Sequence, residues 1–265
     1  MIEVDEVKKS VDRIHGYLAD EEGELLYNLA QNCTGKGVIV EIGSWKGRST
    51  IWLAKGSKGG SRVKVYAIDP HTGSSEHRKS ADARIWTFEE FKRNIKNAEV
   101  DDVVVSIVKT SEETAKDFDK PVELIFIDGA HEYDLVKLDF DLWFPKVIDG
   151  GIMAFHDTCG SLGPKLVVKR MVYKSGNFKN ARFVASITFA EKVKQNSMKD
   201  RFRNSLALFL KESYWFAERM SAQAGLHSPK PLRGVERKVI ALTLRLLGWF
   251  QNNDQLRRCS SRNAS

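Results

Sequence analysis

The spacing of apolar residues changes several times along the chain, and each change marks an element. Val4, Val7, Val11, Ile14 and Leu18 recur at three- and four-residue steps, which predicts an amphipathic helix at the N-terminus. A second helix is expected from about Glu21 to Gln31, with Leu25, Leu26 and Leu29 turned inward. From Val38 onward, short and almost wholly apolar runs alternate with helical periods. Strands are read at Val38–Ile42, Lys64–Asp69, Val103–Lys109, Glu123–Asp128 and Gly151–His156. Helices are read near Ser49–Lys58, Ala83–Asn97, Glu112–Phe118, Tyr133–Phe144 and Leu162–Ser175. Strands apolar on both sides need cover on both faces, so the pattern predicts an α/β, doubly wound, mostly parallel sheet. Ligands of such sheets lie beyond the carboxyl ends of the strands, where Asp69, Asp128 and Asp157 all fall. Phe183–Ala190 has the character of one further strand.

Beyond that point the chain turns helical and basic. Leu206, Phe209, Leu210, Phe216 and Met220 form one helical stripe, with Tyr214 and Trp215 off its centre; Val235, Val239, Leu242, Leu246 and Trp249 form another. Residues 191–265 hold 15 Lys and Arg against 6 Asp and Glu, a net +9 that leaves −2 for the rest of a chain whose total is +7. A basic region of this kind suits nucleic acid, an anionic membrane surface, an acidic partner or plain solvation, and its helices could mediate dimerisation; composition does not choose among them. The last dozen residues, rich in Asn, Ser and Arg, are expected to be disordered. The expected organisation is N-terminal helices over 1–35, a core over 36–192 and a basic helical extension over 193–265. At 265 residues and 42% hydrophobic content the chain can bury a full core. Cys33, Cys159 and Cys259 show no C-x-x-C spacing, which points away from structural zinc and towards a reducing compartment. The first residues lack the pattern of a signal peptide and no run of 18 apolar residues occurs, so a cytoplasmic protein is the expectation.

The most informative stretch is Val38-Ile39-Val40-Glu41-Ile42-Gly43-Ser44-Trp45-Lys46-Gly47-Arg48-Ser49-Thr50, followed by Val65-Tyr66-Ala67-Ile68-Asp69. It reads as strand, tight turn and helix N-terminus, with an acid ending the next strand to grip ribose hydroxyls. Gly43 and Gly47 are four apart, which departs from the G-x-G-x-x-G dinucleotide fingerprint, and Gly47-Arg48-Ser49 lacks the lysine of a P-loop. The run resembles the first motif of class I S-adenosylmethionine-dependent methyltransferases. That resemblance implies a seven-stranded sheet closed by an antiparallel strand. It puts Glu41 and the turn through Gly43, Ser44 and Gly47 at the methionine end of the cofactor, Ser49 near its carboxylate and Asp69 on its ribose. Ser111 falls at the family's adenine-edge position, and a helix N-cap there would serve both ends.

A second constellation is Asp128-Gly129-Ala130-His131-Glu132-Tyr133, followed by Gly150-Gly151 and, five residues on, His156-Asp157. Adjacent parallel strands would bring these ends together, and two carboxylates with an imidazole suit a hard divalent cation such as Mg²⁺. His131 titrates in the range needed to take a proton from a hydroxyl. The arrangement resembles the branch that includes metal-dependent O-methyltransferases acting on macrolide sugars and related glycans. By that likeness Asp128 and Asp157 are metal carboxylates with Asp128 also in the cofactor and catalytic set, His131 is the general base, and His156 stands as a metal ligand where some relatives carry an acid. Asp139 and Asp141 are expected to face solvent. His71, His77 and Arg78 lie in a polar connection of the kind that forms a lid, and Trp86, Phe88 and Phe91 suit a helix packed on the sheet, with Trp86 a candidate for the adenine border.

The expected activity is transfer of a methyl group from S-adenosylmethionine to a hydroxyl of a sugar or similar small acceptor, with Mg²⁺ assistance. The competing readings are an RNA methyltransferase using the basic tail and a cofactor-binding scaffold without turnover. The Asn/Asp-Pro-Pro-Tyr motif of many exocyclic-amine methylators is absent.

Overall fold

The structure, a computed structural model, describes residues 4–73 and 85–223. His77, Arg78, the Val235–Trp249 stripe and the last dozen residues lie outside the described residues. Two helices, α1 (Val4–Val11) and α2 (Asp20–Gln31), precede β1 (Val38–Ile42), α3 (Arg48–Gly59), β2 (Val65–Ile68), α4 (Phe88–Asn97) and β3 (Val104–Ile107). There follow α5 (Ser111–Asp117), β4 (Val122–Ile127), α6 (Tyr133–Trp143), β5 (Val147–Phe155) and α7 (Leu162–Val167). β6 (Phe178–Val184), β7 (Ile187–Lys192) and α8 (Met198–Gln223) complete the series.

All seven strands form one sheet in the order β3-β2-β1-β4-β5-β7-β6. The first five are parallel; β7 runs antiparallel to both β5 and β6. The doubly wound, seven-stranded expectation therefore holds, and the order places β1 beside β4 at the centre. The tip of β1 and the tip of β4 thus open onto the same rim. Val40, Leu124, Ile125, Phe126 and Ala154 on the central strands are fully or almost fully buried, and Trp52 and Phe91 pack from the helices.

Several boundaries differ from the sequence reading. Helix α4 starts at Phe88 where a helix is read from Ala83, and β5 starts at Val147 where a strand is read from Gly151. Three further differences have a visible cause. The N-terminal period continues to Leu18 but the helix stops at Val11. Ile14 and Leu18 are still buried, so the period reported burial while the backbone left the helix. The Arg48 side chain steadies this exit, with Nη1 donating 3.1 Å bonds to the carbonyls of Val11 and Ile14. The strand read at Phe183–Ala190 is really parts of two strands, because Ala185 (φ 46°) and Ser186 form the turn between β6 and β7. The helix read to Ser175 is α-helical only to Val167 and continues as π-helix over Val168–Tyr173.

Helices α2 and α3 approach closely because α3 carries Gly56, where a Cβ would sit 2.2 Å from the carbonyl oxygen of Tyr27. Gly56→Ala must push the two helix backbones apart. The expected result is a loss of about 2 kcal/mol or more, read as a lowered Tm with the far-ultraviolet spectrum unchanged. No helix among the described residues is long and apolar enough to cross a membrane. The chain divides into two compact units, Met1–Leu208 and Phe209–Ser265, and the site described below lies in the first.

Candidate active site

The turn after β1 is built around two left-handed glycines, Gly43 (φ 86°) and Gly47 (φ 91°). At Gly43 the constraint is also steric: a Cβ would lie 2.3 Å from the Asp128 carbonyl oxygen at the tip of β4. The Gly47 amide closes the turn on the Ser44 carbonyl at 2.7 Å, and Gly47 then caps α3. Asp69 stitches this turn to β2, its Oδ2 accepting from the Trp45 amide at 2.7 Å and its Oδ1 from the His71 amide at 2.6 Å.

A cavity of about 630 Å³ opens at this rim, a size suited to a small-molecule ligand. Gly43, Ser44, Ser49, Asp69, Ser111 and Asp128 line it, as do His131, His156 and Asp157. Two expected cofactor contacts do not. Gly47 packs towards Phe91 and Ile95 and acts by shaping the turn. Glu41 is completely buried behind the cavity wall, with its Oε2 accepting from the Thr50 hydroxyl. Burial pushes its carboxyl up to about 7, helped by the charge of Asp128, with the Ser49, Thr50 and Ser44 hydroxyls partly offsetting. Glu41 is thus a protonated structural carboxyl at neutral pH or just below. Its folded value lies above the ordinary 4.5, so the stability it contributes is full below about 4.5 and is lost as pH rises through about 7. A Glu41→Gln variant should accordingly lose less Tm than the parent between pH 5 and 8, by several degrees; parallel melting curves against pH would refute this.

At the opposite wall, Thr110 rather than Ser111 caps α5, forming a reciprocal capping box with Glu113. Ser111 is released for the cavity, where its Oγ accepts from Trp143 Nε1 at 2.8 Å. Beside it stands Asp139, which is buried, contrary to the solvent-facing expectation. Burial raises its carboxyl to about 6, with the Ser111 hydroxyl offsetting. The missed signal was its place three residues after Val136 and four before Trp143, on the inward face of α6. Asp141 does face solvent, paired with Lys137. His71 is likewise inside: it is 1% exposed, bonded to Thr87 Oγ1 at 2.9 Å and packed among Phe88 and Phe91. Trp86 is 53% exposed and is not among the cavity residues.

The tips of β4 and β5 supply the reactive cluster. Asp128, His131 and Asp157 each present a ligand atom within 4.8 Å of the others, and all three are partly open to the cavity. His131 Nε2 lies 2.9 Å from Asp157 Oδ2. His156 takes a different position from the one expected of a metal ligand. Its Nδ1 lies 3.0 Å from Asp128 Oδ1 and 3.3 Å from Asp157 Oδ2, while its Nε2 lies 3.2 Å from Glu22 Oε2. Burial opposes the charged ring, but the carboxylates against both nitrogens outweigh it and raise the imidazole above its usual range. The ring lies behind the carboxylates, and His156 is not among the three residues whose ligand atoms converge. Burial works against the ionised form of Asp157 too, but His131 and His156 outweigh it and hold the carboxyl well below the usual range. At Asp128 burial wins and the carboxyl rises, although His156 pulls the other way. Sequence reading missed Glu22, whose spacing on α2 marks only an inward face.

Residues 40–158 match the sequence model of a family described as "Methyltransferase domain". Over that segment, which runs from β1 to β5, the chain is similar to a methyltransferase domain. A curated relative of this chain, an uncharacterized protein of Acanthamoeba polyphaga mimivirus, is 28% identical over 121 residues, which are 44% of this chain and 50% of that one. The chain spans half or less of the length of the curated relatives it matches. Among solved structures, the O-methyltransferase NovP is similar in fold at a TM-score of 0.58 and 16% identity, over 71% of this chain and 88% of that one. The O-methyltransferase TomG of Streptomyces achromogenes, solved with its methyl donor, reaches a TM-score of 0.50 at 18% identity over 72% and 87% of the two chains.

Proposed function

We propose that this protein is an S-adenosylmethionine-dependent methyltransferase acting on oxygen, moving a methyl group to a hydroxyl of a small polyhydroxylated acceptor such as a sugar, with a divalent cation held by Asp128 and Asp157. The observation carrying the proposal is that Asp128, His131 and Asp157 converge on the wall of the cavity that the Gly43–Gly47 turn also shapes. The cofactor fits on two further grounds. The Cβ-free Gly43 lets the turn close against the Asp128 carbonyl, and Ser44, Ser49 and Asp69 line the cavity beside it. The similarity of fold to the O-methyltransferases NovP and TomG supports the choice of oxygen.

When bound, the cofactor would supply an electrophilic methyl and a cation would lower the pKa of the acceptor hydroxyl. The protein's own part is to hold donor and acceptor in line at the strand tips and to remove the proton. His131 would take that proton, with Asp157 at 2.9 Å from Nε2 orienting the ring and stabilising the imidazolium. Asp128 and Asp157 offer the hard oxygen ligands that Mg²⁺ prefers. The test is calorimetric titration of the full chain with S-adenosylhomocysteine, with and without Mg²⁺, followed by mass spectrometry of a panel of sugars and polyols incubated with S-adenosylmethionine. His131→Ala should keep cation affinity and lose turnover. Loss of cation affinity in that variant would make His131 a ligand instead of the base, and turnover indifferent to chelator would remove the cation from the reaction.

A further inference from the structure

Glu22 lies on the first turn of α2, far in sequence from the strand tips, yet it is 3% exposed and stands directly behind the reactive cluster. Each of its oxygens is used twice. Oε1 accepts from the Ser186 amide at 2.8 Å and from the Ser186 hydroxyl at 2.7 Å. Oε2 accepts from the Ala19 amide at 2.9 Å and lies 3.2 Å from His156 Nε2. A carboxylate so enclosed costs free energy to bury unless every partner is in place, so its position is closely determined.

Two routes lead from it to Asp157. One passes through His156, whose far nitrogen touches both Asp128 and Asp157. The other passes through Ser186, whose hydroxyl accepts from the Asp157 amide at 3.3 Å and whose carbonyl accepts from the Thr158 amide at 3.0 Å. Asp157 needs such support because its backbone is left-handed, with φ 53°. The same carboxylate also anchors the start of α2, directly after the segment carrying His15, Gly16, Tyr17 and Leu18 along the cavity.

We propose that Glu22 is a positioning residue of the reactive centre, setting the Asp128 and Asp157 carboxylates through His156 and Ser186 and so preparing them for a cation. The inference rests on the reading of that cluster as the reactive centre. Groups behind metal ligands typically contribute 10- to 100-fold in metal affinity.

The discriminating variant is Glu22→Gln in the full chain. Its amide oxygen still accepts from Ser186, but its amino group can accept neither from the Ala19 amide nor from His156 Nε2. Three quantities are read: Tm, affinity for S-adenosylhomocysteine, and affinity for Mn²⁺ added alone. The expected result is a folded variant with a lowered Tm, nucleoside affinity close to the parent's, and Mn²⁺ affinity down by about 10- to 100-fold. A crystal structure of the variant should show Asp128 and Asp157 displaced from their parental positions. Parental Mn²⁺ affinity with unmoved carboxylates would overturn the proposal, as would a proportionate loss of nucleoside binding, the mark of a purely structural role. If the parent itself binds S-adenosylhomocysteine but no Mn²⁺, the cation reading fails, and the carboxylate positions in the Glu22→Gln crystal then decide the role of Glu22 by themselves. Should Glu22→Gln not fold, Glu22→Asp keeps the charge on a shorter stem, and the same displacement and an intermediate loss of Mn²⁺ affinity are expected; parental values there would equally overturn it.

Discussion

Asp128→Asn should reduce methyl transfer by about 10³-fold while leaving the fold intact, the scale at which a lost electrostatic contact at a reacting centre is felt. Asp128 is shared between three tasks: it bounds the cofactor cavity, offers an oxygen to the cluster with His131 and Asp157, and faces His156 Nδ1 at 3.0 Å. The amide keeps the shape but not the charge, and its amino group set against the His156 N–H would repel. Burial raises the Asp128 carboxyl, but its charge also faces the buried His156 ring, so the amide leaves that ring with one counter-charge fewer and Tm should fall while the fold is kept. The measurement is the initial rate of methylated product by mass spectrometry beside a melting curve. A rate within tenfold of the parent would place Asp128 outside the reaction.

Gly43→Ala is expected to abolish cofactor binding and to destabilise the domain by roughly 3 kcal/mol, the combined scale of a left-handed non-glycine residue and an overpacked contact. The methyl would meet the Asp128 carbonyl at 2.3 Å, and neither strand tip can retreat without breaking the β1–β4 ladder, where Ile42 pairs with Ile127. Gly35→Ala is the control. Gly35 has nearly the same φ, 87°, but nothing lies within 4 Å of an added Cβ. Its cost is the backbone conformation alone, about 1 kcal/mol. Calorimetric titration with S-adenosylhomocysteine should show binding kept in Gly35→Ala and lost in Gly43→Ala. Equal behaviour of the two would mean that the close approach of the strands does not shape the cofactor site.

The elements legible from sequence were those whose residues carry their own reasons. Val38–Ile42 is apolar throughout because the strand is central, and Gly43 and Gly47 advertise a turn that only glycine tolerates in this geometry. Asp69, Ser44, Ser49 and Ser111 could be placed at the cavity because strand tips in a parallel sheet share one rim. What stayed hidden depended on partners distant in sequence. Glu41 was read as facing the cofactor, yet its neighbours Thr50 and Ser49 turn it inward. His156 was read as a ligand because it ends a strand beside Asp128 and stands where some relatives carry an acid; the carboxylate that faces its other nitrogen comes from Glu22, 134 positions away. Asp139 was judged by its distance from Asp141 instead of by its register with Val136 and Trp143. The turn at Ala185-Ser186 has no glycine or proline to announce it.

The stretch from His15 to Leu18 belongs to no helix or strand, and Tyr17 is 76% exposed while also bordering the cavity. Leu135, 48% exposed on α6, borders it too. Substitution at such positions would reshape the mouth of the cavity without disturbing the packed centre of the sheet. Two chains with the same strand tips could therefore admit different molecules, so a search for the natural acceptor is best guided by this rim as well as by the strand-tip motifs.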